Sequence, residues 1–365
     1  MSRIIREQEL RDIIIGAAFL GSGGGGSPKD GLRLLEELRA LHKAEVTMLK
    51  CQEMADDEWA VMVAEIGAPK AFAEARSFPE TVTAFELMQK ILAESGQNLK
   101  YLMAGEVGGF NTMVPLYVAA LKGVPFVDAD GQGRAVPELS TSLYAAGDIP
   151  TYPLTMAGHN GDAMVVYLHD PLDSQAAENI ARYVSTAYGQ RAAFCTWVVN
   201  RETILDKLVP DSTTLCLTIG QAFRKARGIQ DLSQTLAEKV GVKGLFLGTI
   251  SNIELKSEGG FDFGVTTIEG TAAYAGQSVA ISFKNENILI RDGTGKVIGT
   301  VPDLIMLVNL DPLEPLTNAD TRVGQKVAVF GATAPTNWFK TPMGFGCWKH
   351  ILAKLGYPGD YVPVK

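Results

Sequence analysis

The chain has 365 residues, of which 46% are hydrophobic and 20% charged, with a formal net charge of −8. That length bounds two domains with sizeable cores, and the acidic balance excludes the basic footprint of a nucleic-acid or anionic-membrane binder. The four cysteines, Cys51, Cys195, Cys216 and Cys347, lie far apart with no Cys-x-x-Cys pair, which argues against a disulfide framework and a zinc knuckle.

The opening Met1-Ser-Arg-Ile-Ile-Arg6 runs into acidic residues rather than the apolar core of a signal peptide. No apolar stretch reaches the ~20 residues of a membrane span. Leu10, Ile13, Ile14 and Ala17 recur at helical spacing and predict a helix over Glu7–Leu20. A run with five glycines in six positions, Gly21-Ser-Gly-Gly-Gly-Gly26, follows. Ser27-Pro28-Lys29-Asp30 then supplies an N-cap, a proline at the first helical position and an acid in the first turn, so a second helix starts here.

Strands are predicted at Glu45–Leu49, Trp59–Ala64, Tyr101–Ala104 and Pro125–Val127, and helices at Glu80–Ala93 and Thr112–Leu121. Short apolar strands alternating with helices predict parallel pairing with right-handed crossovers. The following turns, Glu65-Ile-Gly-Ala-Pro69, Glu106-Val-Gly-Gly-Phe-Asn111 and Asp128-Ala-Asp-Gly-Gln-Gly-Arg134, bear carboxylates and glycines. In such a sheet they collect at one edge, where ligands bind. A strand at Ala163–Leu168, helices at Ser174–Ala187, Thr213–Arg227 and Leu232–Val240, and a strand at Phe194–Val199 continue the alternation. From Gly244 to Gly331 the pattern is β, with a turn at Lys284-Asn-Glu-Asn287 among others. The expected fold class is α/β: an N-terminal parallel-sheet α/β domain over residues 1–165, and a β-rich α+β C-terminal domain over 166–365.

Stacked glycines ahead of a capped helix let Gly23, Gly24, Gly25 and Gly26 present amides to a substrate or an anion; a plain helix-to-helix turn is the alternative. No Gly-Lys-Ser/Thr follows and no strand precedes, so the run is neither a P-loop nor a dinucleotide fingerprint. Asp128 and Asp130 alternate out of a strand and share a face, where they can hold a cation or poise each other's proton. Glu106 on the neighbouring strand joins them, and Arg134 and Glu138 follow as substrate-binding candidates or as a salt-bridged turn. His159, in Gly158-His-Asn-Gly-Asp162, is the histidine best placed for base or ligand work. His350 lies three residues after Cys347, a spacing that suits a metal, a nucleophile pair or an inert core pair. Cys51 and Cys347 are the cysteines worth testing as nucleophiles.

Several stretches together resemble the S-methyl thiohydantoin desulfurase family. They are Gly21–Pro28, Gly67-Ala-Pro69, Glu106–Asn111, Val127-Asp-Ala-Asp-Gly-Gln-Gly-Arg-Ala-Val-Pro-Glu138, Ile219-Gly220 with Ala222 and Ala226-Arg227, and the tail Gly356-Tyr with Tyr361-Val-Pro363. The resemblance covers nearly the whole chain and departs near Gly346-Cys-Trp-Lys-His350. It implies kinship with the hydantoinase A and oxoprolinase group, which acts on five-membered cyclic amides, and a zinc ion. The implied reaction converts an S-methylated thiohydantoin to a hydantoin and methanethiol.

The expectation from the sequence is thus a cytoplasmic hydrolase, a homo-oligomer, acting on a small cyclic ureide, with neither nucleic acid nor membrane as partner. Asp128, Asp130, Glu106 and His159 are its catalytic candidates, and Asp130 with His159 the candidate ligands for zinc or another divalent metal. The Gly23–Gly26 amides, Asn111, Arg134 and Glu138 are expected to bind the substrate. The alternatives are an ATP- or phosphate-binding subunit of a larger amidohydrolase and a non-catalytic small-molecule binder.

Overall fold

The computed structural model describes residues 2–75 and 77–364. In chain order the first part holds β1 (Arg3–Arg6), α1 (Glu7–Leu20), α2 (Pro28–Ala40), β2 (Glu45–Leu49), β3 (Glu58–Gly67), α3 (Pro69–Glu74), α4 (Pro79–Glu94), β4 (Asn98–Ala104), α5 (Met113–Lys122) and β5 (Phe126–Asp130). It continues with α6 (Leu143–Ala146), β6 (Leu154–Gly158), β7 (Ala163–Val166), α7 (Ser174–Ala187), β8 (Arg191–Asn200), α8 (Arg201–Lys207), β9 (Val209–Pro210), α9 (Ser212–Lys225) and α10 (Ile229–Val240). Local signals account for much of this. Ser27 accepts the Lys29 amide at 3.2 Å as the cap of α2, with Pro28 at its first position. The 3.6-residue spacing in α1 buries Leu10, Ile13, Ile14 and Ala17.

These strands form a mixed sheet in the order β1-β2-β5-β4-β3-β8-β6-β7, with β9 also pairing β5. The β2-β5-β4-β3 heart is parallel, as the alternation predicts. Its flanks are antiparallel: β1 against β2, and β8, β6 and β7 in succession. β6 and β7 are joined by the short 158–162 turn, and so tight a connection permits only antiparallel pairing.

The second sheet comprises β10 (Lys243–Glu258), β11 (Phe261–Gly270), β12 (Ser278–Lys284), β13 (Glu286–Asp292), β14 (Val297–Thr300), β15 (Leu304–Leu310), β16 (Leu313–Leu316) and β17 (Lys326–Ala332). Every pairing in it is antiparallel, and the order is β14-β13-β12-β11-β10-β17-β15-β16. Two short helices, α11 (Pro342–Gly346) and α12 (Lys349–Lys354), precede the tail.

α1 and α9 cross between the sheets. A Cβ on Gly16 would stand 1.8 Å from the Cys216 carbonyl oxygen, and one on Gly220 1.8 Å from that of Asp12, so each glycine admits the other helix's backbone. Phe19 of α1 meets Phe223 of α9 and Phe330 of β17 edge-on, with ring centres 5.4 and 5.7 Å apart. One continuous core therefore joins the two sheets, and it brings the edge of the first against the β12–β13 turn of the second.

Candidate active site

The glycine run sits on that junction. Gly23, Gly25 and Gly26 have φ of +89°, +72° and +77°, values that only glycine adopts without strain. The second sheet ties the loop down: the Asn287 amide donates to the Ser22 carbonyl at 2.7 Å and the Asn318 amide to that of Gly23 at 2.8 Å. From the first sheet, the Phe110 and Asn111 amides donate to the Gly25 carbonyl. The loop amides face a buried carboxyl as well. The Gly25 amide donates to the Glu286 carboxylate, and a Cβ on Gly24 would fall 1.9 Å from Glu286 Oε1. Gly24 is partly open and Gly26 exposed.

Glu106 leaves the end of β4 into the same junction and is only partly buried. Its Oε2 accepts the Val136 amide at 2.7 Å and its Oε1 accepts from the Asn111 side-chain amide. Burial, and then the Asp130 carboxylate, push its carboxyl up to about 7 against those two hydrogen bonds. Glu286 is pushed up to about 8 by burial and by Glu106, with Arg134 and the Gly25 amide opposing. Two carboxyl groups here are thus poised near neutrality, a property that marks proton-transfer sites.

The two aspartates lie in β5 itself rather than in a turn. The short β9 strand pairs with Ala129 and Asp130 and extends β5 beyond the predicted Pro125–Val127. Asp130 is fully buried and accepts the Gln132 amide at 2.7 Å and the Gly133 amide at 2.8 Å; burial nevertheless raises it to about 7. Asp128 turns to the N-terminus of α9, accepting the Thr214 amide at 2.9 Å and its hydroxyl at 2.5 Å. It is a helix cap in position and partners.

Arg134 is fully enclosed. Its guanidinium donates to the carbonyls of Ala135, Pro302, Asp303 and Asn287 at 2.7–3.0 Å and lies 5.0 Å from the centre of the Trp348 ring. It reaches from the first domain into the second and pins them together. Glu138, also buried, pairs with Lys284 and with His350 Nε2, the latter at 2.7 Å. Burial would raise its carboxyl, but these two partners bring it down to about 2.

His159 is exposed in the turn between β6 and β7, separated from β5 in the sheet by β4, β3 and β8. Its charge bears on Glu80, not on Asp130. Glu80 in turn pairs with Arg191 at 2.6 Å beside the buried Glu65, so the Glu65–Pro69 turn leads to a different cluster. Phe78 stands between, with its ring centre 5.4 Å from that of Phe110 and 5.4 Å from the Arg191 guanidinium. The proposed metal ligands Asp130 and His159 are therefore not brought together, and among the described residues no group of three or more His, Cys, Asp or Glu side chains can hold a metal ion. These residues do not fit the implied zinc. Burial pushes the thiols of Cys51 and Cys347 up, the latter to about 12, so both are thiols rather than thiolates.

The structure thus gathers Glu106, Asn111, Arg134, Glu138 and the glycine run at one junction, with Asp130 just behind. The residues that complete it come from the second sheet, Lys284, Glu286 and Asn287 at the β12–β13 turn, and from the turn after β16, Asn318. The one trace of the first three in the sequence is the polar Lys284-Asn-Glu-Asn287 run between apolar strands, which reads there simply as a turn.

No functionally curated protein matches the chain. Residues 8–167 match the family described as S-Me-THD-like, N-terminal domain, and residues 172–364 match S-Me-THD-like, C-terminal domain. Among solved structures, the X-ray crystal structure of a protein from Chromobacterium violaceum is similar, with a TM-score of 0.87, 26% identity and 100% of each chain covered. With both domains matched in order along its length, the chain belongs to the S-Me-THD-like family.

Proposed function

We propose that the junction of the two domains hydrolyses a small five-membered cyclic ureide, with S-methyl thiohydantoin as the substrate tested first. Water adds to the ring carbon that bears sulfur, the carbon–sulfur bond breaks, and methanethiol departs with a proton, leaving the hydantoin carbonyl. Glu106 takes one proton from water and returns it to the departing sulfur, while the second water proton ends on the ring nitrogen of the former C=N bond. Asn111 and the Val136 amide hold its carboxylate in place, and Gly26 of the neighbouring glycine run is exposed. The observation that carries this reading is Glu106 itself: a partly accessible carboxyl, held near neutrality by burial and by Asp130, beside the Glu286 carboxyl that lies on the glycine run. The family's name is what points to the thiohydantoin.

Space at the glycine run disfavours the phosphate-binding alternative: the Glu286 carboxyl already fills the side of Gly24 that a phosphate would approach, a Cβ there falling 1.9 Å from its Oε1.

Methanethiol release from S-methyl thiohydantoin tests the reading. Glu106→Gln should lower turnover by about 100-fold or more while leaving the thermal midpoint near that of the wild type. A folded Glu106→Gln protein with full turnover would remove Glu106 from the mechanism.

A further inference from the structure

The two sheets end on β1, β7, β14 and β16, and three of these edges are protected. β1 carries Arg3 and Arg6. At β14 the tail covers the edge, the Thr300 amide donating to the Val362 carbonyl at 2.9 Å. β16 contains Glu314 and Pro315, and proline has no N–H to offer a further strand. Charges, prolines and covering segments are the usual means of keeping a free edge from pairing. β7 has none of them. Ala163-Met-Val-Val-Tyr-Leu168 holds no charge and no proline, and among the described residues the strand pairs only with β6.

The hydrogen-bond phase of this edge follows from the β6–β7 hairpin. The Gly158 amide donates to the Asp162 carbonyl at 2.9 Å, and Met156 and Leu154 stand opposite Met164 and Val166. Bonded positions alternate along an antiparallel pair, so Met164 and Val166 turn their amides and carbonyls to β6. Those of Ala163 and Val165 point outward, and Tyr167 is next in the same phase. Met164, Val166 and Leu168 also pack on the core. Tyr167 is 74% exposed, and the exposed Tyr152 ring lies beside it with centres 5.3 Å apart.

We propose that β7 is the contact between two copies of this chain, related by a two-fold axis at Val165, so that the two mixed sheets run on as one. Val165 faces Val165 of the second copy and Ala163 faces Tyr167, so each outward amide gains a carbonyl. The ends of the contact are complementary. In this register Asp162 falls opposite Leu168 and beside His169 of the second copy, while Asp170 falls opposite Asn160 and beside His159. An acid thus meets a histidine at either end. Moving the axis on to Val166 would set Asp162 opposite Asp170. Moving it back to Met164 would pair Tyr167 with Gly161, whose φ of +93° is not that of a strand. The His159 turn, which has no part at Asp130, becomes a border of the contact. The proposal does not rest on the Glu106 reaction, because its readout is assembly.

Analytical ultracentrifugation of the whole chain from about 1 to 100 μM provides the test, and a dimer with a micromolar dissociation constant is expected. Val165→Pro removes an outward N–H and no bond to β6, so it should keep the wild-type circular dichroism and raise the dissociation constant about 100-fold. Tyr167→Lys changes an exposed side chain and leaves the hairpin backbone intact; it should raise the constant about tenfold or more. In the wild type, amide exchange at Ala163, Val165 and Tyr167 should slow as concentration rises, with Met164 and Val166 unchanged. A chain still monomeric at about 100 μM, or a dimer that survives both variants, would overturn the proposal. So would concentration-dependent protection of β1 in place of β7.

Discussion

Glu106 and Glu286 differ in what surrounds them, and that sets what each is expected to do. Glu106 is partly open and titrates near 7, so the base form of the site grows in as pH rises. Turnover of the thiohydantoin should climb by about an order of magnitude between about pH 6 and pH 7.5, then level off; a rate profile flat across that range would show that Glu106 does not act as the base. Glu286 is 4% exposed and holds its proton up to about 8, whereas an unfolded glutamate releases its own near 4.5. Between those values the folded chain binds more protons than the unfolded one, so stability falls as pH rises, by up to about 1.4 kcal/mol per pH unit. In Glu286→Gln that decline should be shallower when the unfolding free energy is followed from about pH 5 to pH 8. Glu138 has the opposite sign: held down at about 2, its contribution is complete above the unfolded value of 4.5 and is lost as pH falls toward 2. None of these signs was legible in the sequence. Glu106 is recognisable from its glycine-flanked turn, but Glu286 acquires its role from Gly24, Gly25 and Arg134, more than 150 residues away along the chain.

Elements with strong local signals match the sequence closely. α2 starts at the expected cap, β2 spans the expected Glu45–Leu49, and α7 the expected Ser174–Ala187. What local reading leaves out is set by distant partners. β5 runs through Asp130 because β9 pairs with it, and β8 turns the sheet antiparallel by lying against β3. The same holds for the crossing of α1 and α9. Gly16 and Gly220 look like ordinary helix-weakening glycines, yet each occupies a point where the partner backbone leaves no room for a methyl group. Gly220→Ala should gain helix propensity and still destabilise the protein by about 1–3 kcal/mol, because overpacking outweighs it. Urea denaturation measures the balance, and a neutral or stabilising result would mean that the two helices can separate without loss.

Across the whole molecule, the second sheet is a structural part of the first domain's site. Arg134 links the sheets through carbonyls of residues 287, 302 and 303, and burial lowers its guanidinium to about 10 against the pull of Glu286, Asp303 and Glu106. Arg134→Met would leave those carboxylates without their counter-charge. It should cost about 3–5 kcal/mol in denaturant, and both domains should unfold earlier. If only one half were weakened, the two would be energetically separate despite their shared core.

The contact between Glu286 and the glycine run has a further consequence for motion. Any swing that lifts the β12–β13 turn off Gly24 and Gly25 would wet Glu286 and let it ionise near its ordinary pKa. Opening the molecule would therefore release a proton near neutral pH, and closing would take it back. The gap between the halves then acts as a valve whose resting position follows acidity: shut more firmly in mild acid, looser in mild alkali. Amide exchange at Gly24 and Gly25 should accelerate across neutrality beyond the intrinsic base-catalysed rate, and Glu286→Gln should remove the excess.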